Sequence, residues 1–273
     1  MGDNKEKVLN DANQLLRNVK RFYGDIFYFE TDDSKDDKYL EIHKVTEDFE
    51  TNKVNDKNGV YSITKNKTQN EVDLFGNVIN QKEAWEFSQS LDELNSQICE
   101  CQKCPLGKSR TKFVFGVGNP KADLVFIGEA PGADEDMKGE PFVGRAGQLL
   151  NKILEAVGLK REDVYICNIL KCRPPGNRNP MPDEINKCEP YLKYQLELIK
   201  PLIIIALGRI AAETLLKSKQ PLLKLRGKVH SFNDMNLMVT FHPAALLRNP
   251  QWKRPAWEDM QQIKKMYDEL KSK

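Results

Sequence analysis

From residue 110 to the C-terminus, short apolar runs alternate with amphipathic helical segments, and few folds accommodate that alternation. The runs are ADLVFIG (122–128), DVYICNI (163–169), PLIIIALG (201–208) and LMVTFHP (237–243). Each is rich in β-branched or aromatic residues and bounded by turn formers, which reads as a buried strand. Between the first two, RAGQLLNKILEAVGL carries Ala146, Leu149, Leu150, Ile153, Leu154 and Val157 as one helical stripe that stops at Gly158. PDEINKCEPYLKYQLELIK and GRIAAETLLK supply two more helices, and WEDMQQIKKMYDELK closes the chain. This order predicts an α/β fold with a mainly parallel, four-stranded central sheet and helices on both faces.

The N-terminal part differs in kind. Val8, Leu9, Ala12, Leu15, Leu16 and Val19 have helical spacing, but the Asn/Asp/Lys-rich stretch that follows has no period and too little apolar content to fold. We therefore expect a largely disordered N-terminal extension over residues 1–85, a short helix followed by a linker, and a folded domain over 86–273. Ser90 and Glu93 stand in capping-box spacing, so a helix should lead into the first cysteines. Residues 1–95 hold 13 Lys/Arg against 20 Asp/Glu and the remainder 29 against 20, so net charges of −7 and +9 hide behind the overall +2. The basic part suits a polyanionic partner. Neither a membrane-spanning apolar run nor a secretory signal is visible, which predicts a soluble, cytoplasmic protein. In that compartment the six cysteines are expected as ligands or plain thiols rather than disulfides.

Ligands of open α/β sheets bind beyond the carboxyl ends of the strands. Those ends carry Glu129 and Ala130, Asn168, Gly208 with Arg209, and His242. Taken singly, each reads as readily as a loop, turn or structural residue. Together they bring a carboxylate, an amide, a helix-start glycine and an imidazole to one edge from distant parts of the chain. The loop GEAPGADEDMKGEPFVGRAG (128–147) would form one wall; its five acidic residues make it a poor phosphate cradle, and no nucleotide-binding fingerprint fits its glycines. Cys101 and Cys104 form C-x-x-C, and Cys172 and Cys188 follow far downstream, a set suited to tetrahedral zinc or an iron–sulfur cluster. Cys99 breaks the C-x-x-C register and Cys167 lies within an apolar run, so both read as spare thiols.

Four segments in order, ECQKCPLGKSRTKFVFGVGNPKADLVFIGEAPGADEDMKGEPFVGRAGQLL, NILKCRPPGNRNPMPDEINKCEPYL, IIIALGRIAAETLL and HPAALLR, resemble the iron–sulfur (family 4) uracil-DNA glycosylases. The resemblance runs from about Ser96 to the C-terminal helix. It implies a three-layer α/β/α domain, a structural 4Fe-4S cluster on Cys101, Cys104, Cys172 and Cys188, and excision of uracil from single- or double-stranded DNA. A base must be rotated out of the helix for such chemistry. The resemblance then gives Phe142 as the face on which the ring stacks and Asn168 as the amide that reads N3–H and O4. Glu135 would crowd the methyl group of thymine, and the backbone amide of Ala130 would contact the base. His242 would donate to O2 as negative charge gathers there. Relatives with a Gly-Gln-Asp-Pro loop carry Asp where this chain has Ala130, which leaves Glu129 to orient the water. Arg248 would sit after His242, where a loop could enter the opened helix, while Arg209 at a helix start would face a phosphate.

Two other functions fit parts of this pattern. In a covalent branch of the superfamily the histidine attacks the sugar, but that branch carries an arginine-rich insert and the corresponding KLRGKVHSFNDMN is short. A non-catalytic iron–sulfur or zinc DNA-binding module would need the cysteines and not Asn168 or His242. We expect a monomer, nucleoid-associated, whose N-terminal extension is available to a replication or repair partner.

Overall fold

The computed structural model describes residues 83–272, together with an antiparallel pair of two-residue strands, Glu71–Val72 and Val78–Ile79. The N-terminal helix expected from the sequence lies outside the described residues, as does the linker except for that strand pair and residues 83–85, where Trp85 is buried in the core of the domain. The described domain contains a six-stranded sheet: β1 (Val117–Gly118), β2 (Leu124–Gly128), β3 (Tyr165–Asn168), β4 (Ile203–Leu207), β5 (Val229–Phe232) and β6 (Met235–Thr240). Their order is β1-β3-β2-β4-β6-β5. The four strands expected from the sequence are its parallel centre.

The edge strands β1 and β5 are antiparallel additions, so the sheet has six strands rather than four. Neither has an apolar run to announce it: β1 is Val-Gly, and β5 is the mostly exposed VHSF. β5 turns into β6 through Asn233 and Asp234, which have φ of 46° and 64°, with Phe232 paired to Met235. Two consecutive left-handed residues define the tight hairpin turn whose twist matches the strands, and Asn and Asp tolerate that geometry best after Gly.

The helices are α1 (Leu91–Ile98), α2 (Leu106–Ser109), α3 (Ala133–Lys138), α4 (Arg145–Ala156), α5 (Pro182–Ile199), α6 (Arg209–Leu216), α7 (Leu222–Leu225), α8 (Pro243–Arg248) and α9 (Lys253–Lys271). Alternate residues of the strands divide the core in two. Val125, Ile127, Cys167, Ile204 and Val239 pack with α1, α5 and α6 through Leu94, Leu192, Leu196 and Ala212. Leu124, Phe126, Ile166, Ile205 and Met238 pack on the other face against Leu150 and Leu154 of α4 and Met260 and Ile263 of α9. Three layers result, helix on sheet on helix. The cap of α1 forms as its sequence indicates, with Ser90 Oγ accepting from Glu93 N at 3.2 Å. Among the described residues no helix is long and apolar enough to cross a membrane.

A buried carboxylate joins the last helix to the last parallel strand. Asp259 of α9 accepts from Thr240 Oγ1 at 2.8 Å and pairs with Arg226, whose Nε lies 3.0 Å and Nη2 2.9 Å from its oxygens. Arg226 also donates to Pro255 O at 2.5 Å. Removing one member of a buried pair leaves the other uncompensated, although Arg226 keeps the Pro255 carbonyl and some contact with solvent. Asp259→Ala is therefore expected to lose about 3 kcal/mol of stability in urea unfolding.

Candidate active site

The chain runs from β2 to β3 on one side and then crosses to β4 on the other, so a crevice opens at the carboxyl end of β2. In the β2–β3 ladder Gly128 lies opposite Asn168. A Cβ at Gly128 would fall 2.4 Å from Asn168 Oδ1 and 2.6 Å from Phe142 Cζ. The missing side chain therefore lets an amide and an aromatic ring converge on the end of β2. Asn168 is only 2% exposed, yet no other described residue hydrogen-bonds its side-chain amide. A buried amide without partners is costly unless a ligand supplies them.

Phe142 has a left-handed backbone, φ 52°, a conformation that aromatic residues rarely adopt. Two groups hold it there. Arg161 donates to Pro141 O at 2.6 Å and to Phe142 O at 3.2 Å. The Phe142 carbonyl also presses against Gly147 in the first turn of α4, where an added Cβ would stand 1.7 Å from it. The Phe142 ring faces His242, with centroids 5.4 Å apart and planes tilted by 30°.

His242 caps α8: Nδ1 accepts from Ala244 N at 3.1 Å. A backbone N–H can only donate, so the imidazole proton resides on Nε2. Burial, reinforced by the nearby positive charge of Arg248 and partly opposed by Glu135, lowers the His242 pKa to about 4. The ring is thus neutral near pH 7 and presents an N–H donor. Gly208, which donates to Thr240 O at 2.8 Å, lies directly against the His242 backbone.

Glu129 is partly buried, and burial raises its pKa, with Arg209 and Arg248 pulling the other way. Those two arginines therefore flank the carboxylate. Arg209 is half-exposed and pairs with Glu213 of its own helix at 3.0 Å, while Arg248 is exposed. The Ala130 N–H donates to no described residue. Glu135 is committed to the loop itself. Its Oε1 accepts from Val143 N and Gly144 N, each at 2.9 Å, and its Oε2 from Gly132 N at 3.1 Å. Asp136 accepts from Thr111 N at 2.9 Å. These carboxylates hold the wall of the crevice together, which accounts for acidity that no phosphate site would tolerate.

On the far side of β3 the four candidate ligand cysteines come near one another. Cys172 senses Cys101 and Cys104, and Cys188 senses Cys172 and Cys104, electrostatically. Three sulfurs already receive donors: Cys172 from Arg110 Nη1 at 3.4 Å, Cys188 from Lys171 N at 3.3 Å and Cys101 from Tyr191 Oη at 3.3 Å. Burial raises the pKa of Cys172 and pushes Cys188 up to about 12, so both are thiols until a cationic centre displaces their protons. No three ligand side chains among the described residues close on a single-ion site. Cys167 is fully buried in β3, as a spare thiol should be.

Sequence reasoning missed Arg161, Gly147, Arg110 and Lys171. Only Lys171 left a trace, a cation inside the apolar string CNILKC.

Comparison with known proteins agrees with this geometry. Residues 115–261 match the Uracil DNA glycosylase superfamily. The chain is 47% identical over 183 residues to a Type-4 uracil-DNA glycosylase of Archaeoglobus fulgidus, covering 64% of this chain and 92% of that protein. It is 46% identical over 184 residues to a Type-4 uracil-DNA glycosylase of Saccharolobus solfataricus, covering 64% and 85%. To a Type-4 uracil-DNA glycosylase of Thermotoga maritima it is 42% identical over 178 residues, covering 64% and 93%. With more than half its length matched to the superfamily and such identity across nearly whole relatives, the chain belongs to the Type-4 uracil-DNA glycosylases.

Proposed function

We propose that this chain hydrolyses the N-glycosidic bond of deoxyuridine rotated out of DNA, releasing uracil and leaving an abasic site. The observation that carries the reading is the partnerless, buried amide of Asn168 beside an aromatic face. Its oxygen accepts from uracil N3–H and its NH2 donates to O4, whereas cytosine presents the opposite pattern and leaves the amide mismatched. Phe142 supplies the stacking surface, contributing about 1–3 kcal/mol. The free Ala130 N–H is available to the base as a further donor. Glu135 would act against the thymine methyl only indirectly, by fixing the wall that the methyl meets.

As the bond breaks, electrons collect on uracil O2 and positive charge on the sugar. The Nε2–H of neutral His242 donates to O2 without prior rearrangement. The same proton placement supports hydrolysis over covalent capture, because attack on the sugar would need a lone pair on Nε2. Ionised Glu129 orients water toward C1′ and takes up its proton. Arg248 and Arg209 engage phosphates on either side, and the basic character of the domain favours DNA of either strandedness.

Cys101, Cys104, Cys172 and Cys188 would hold a 4Fe-4S cluster. Four cysteines from two distant segments, with hydrogen-bond donors already aimed at three sulfurs, fit such a group. When bound it serves as a covalent cross-link, tying the segment before α2 to the segment entering α5. We place the enzyme in the cell as a monomer near its DNA substrate.

The deciding experiment incubates the full chain with a single-stranded oligonucleotide bearing one deoxyuridine, followed by alkali and a denaturing gel. Strand cleavage at that position is expected, and an alkali-stable shifted band would indicate covalent capture instead. His242→Ala should lower the single-turnover rate by about 10²–10³-fold through loss of the leaving-group donor. The acid limb of kcat/KM should fall above the ordinary glutamate value of about 4.3, since activity needs ionised Glu129 and burial raises its pKa. His242 stays neutral through that range, so Glu129→Gln should flatten the acid limb and slow excision by about 10²-fold or more. Cys172→Ala should lose the visible iron–sulfur absorption of the purified protein and much of its solubility; a brown, soluble variant would point to another ligand.

A further inference from the structure

We infer that Lys171 is a positioning residue for uracil recognition, acting through the backbone of Asn168; the inference rests on the uracil-excision reading above. Lys171 is 0% exposed, which is rare for a lysine, and its amino group finds two acceptors inside the protein. Nζ donates to Asn168 O at 3.0 Å and to Gln195 Oε1 at 2.5 Å. Gln195, also 0% exposed, is fixed in turn: its Nε2 donates to Phe115 O at 3.1 Å and to Tyr165 Oη at 3.3 Å.

The reason for the arrangement lies in the sheet. The ladder between β1 and β3 ends where Val117 pairs with Ile166. Asn168 stands beyond that pair, so no residue of β1 can supply a donor for its carbonyl. Lys171 does so instead, three residues further along the same chain. Its backbone is tied down as well, with N donating to Cys188 Sγ at 3.3 Å and O accepting from Val114 N at 2.9 Å. The peptide plane following Asn168 is thereby fixed at its carbonyl by Lys171 and at its N–H by the bond from Ile169 N to Gly128 O at 3.0 Å, and that plane sets the direction in which the amide side chain leaves the strand. No hydrogen bond from another described residue holds the Asn168 side chain, so its aim is set by its backbone and by packing beside Gly128 and Phe142. A buried network of this kind specifies one geometry, and losing one member loosens the rest.

A merely structural lysine would affect stability alone. A positioning lysine affects binding of the base while leaving contacts to the DNA backbone untouched. The test compares the full chain with Lys171→Met, which keeps length and removes the donor. Three quantities are measured: inhibition of excision by free uracil, kcat and KM on the deoxyuridine oligonucleotide, and affinity for an undamaged oligonucleotide. Far-UV circular dichroism confirms that the variant is folded. We expect inhibition by free uracil to weaken about tenfold or more, as for the loss of one charge-assisted hydrogen bond. kcat/KM should fall in parallel, and affinity for undamaged DNA should stay unchanged. A folded Lys171→Met with parental sensitivity to uracil overturns the inference.

If Lys171→Met does not fold, Gln195→Met releases the lysine amino group from one acceptor while retaining the lysine. It is expected to weaken uracil inhibition by a few-fold, and parental inhibition in this variant overturns the inference equally. Failure of the unmodified chain to excise uracil at all would instead reject the functional reading, so the two failures are distinct.

Discussion

Gly128 and Asn168 face one another in a parallel ladder, and the amide of one occupies space that any side chain on the other would fill. The pocket is built around that vacancy. Phe142 can approach because Gly128 lacks a Cβ, and its unusual backbone persists because Arg161 and Gly147 hold it. His242 arrives from the next strand but one, its ring directed by a cap bond rather than by another side chain. The site is thus preorganised through backbone contacts, which cost little to maintain once the sheet register is set and cannot drift independently of it.

The acidic loop shows how local composition misleads when partners are unknown. Five carboxylates in twenty residues look like a solvated, anion-repelling surface. In the fold Glu135 alone satisfies three N–H groups, and Asp136 closes the contact with the segment carrying Thr111. The negative charge of Glu135 meets backbone donors, while Glu129 feels the positive charges of Arg209 and Arg248.

Much of this was legible in the sequence because periodicity reports burial directly. The four central strands and the stripe of α4 follow from that signal, as does the Ser90 cap from its spacing. The edge strands escaped because β1 has two residues and β5 is mostly exposed, although Asn233 and Asp234 carried a turn signal that could have located the hairpin. Convergence of Glu129, Asn168 and His242 could be inferred from strand ends alone. What could not be inferred was support from residues far away in the chain. Arg161 reaches back about twenty positions to Pro141, and Gln195 touches Phe115 across eighty. Such contacts have no period and no motif; they appear only when the chain is folded.

The link from Asp259 to Thr240 has a consequence for how the protein comes into being. Thr240 stands two residues before His242, at the very end of β6, and its hydroxyl finds its acceptor on α9. A growing chain can complete every strand of the sheet before that carboxylate has been synthesised. Until α9 docks, the Thr240 hydroxyl lacks its acceptor, and the end of β6 is held only by its ladder to β4 and the Gly208 N–H. The same helix supplies Met260 and Ile263 to the core on one face of the sheet, so that half of the core and the last polar tie at the end of β6 are both completed by the final stretch of chain to be made.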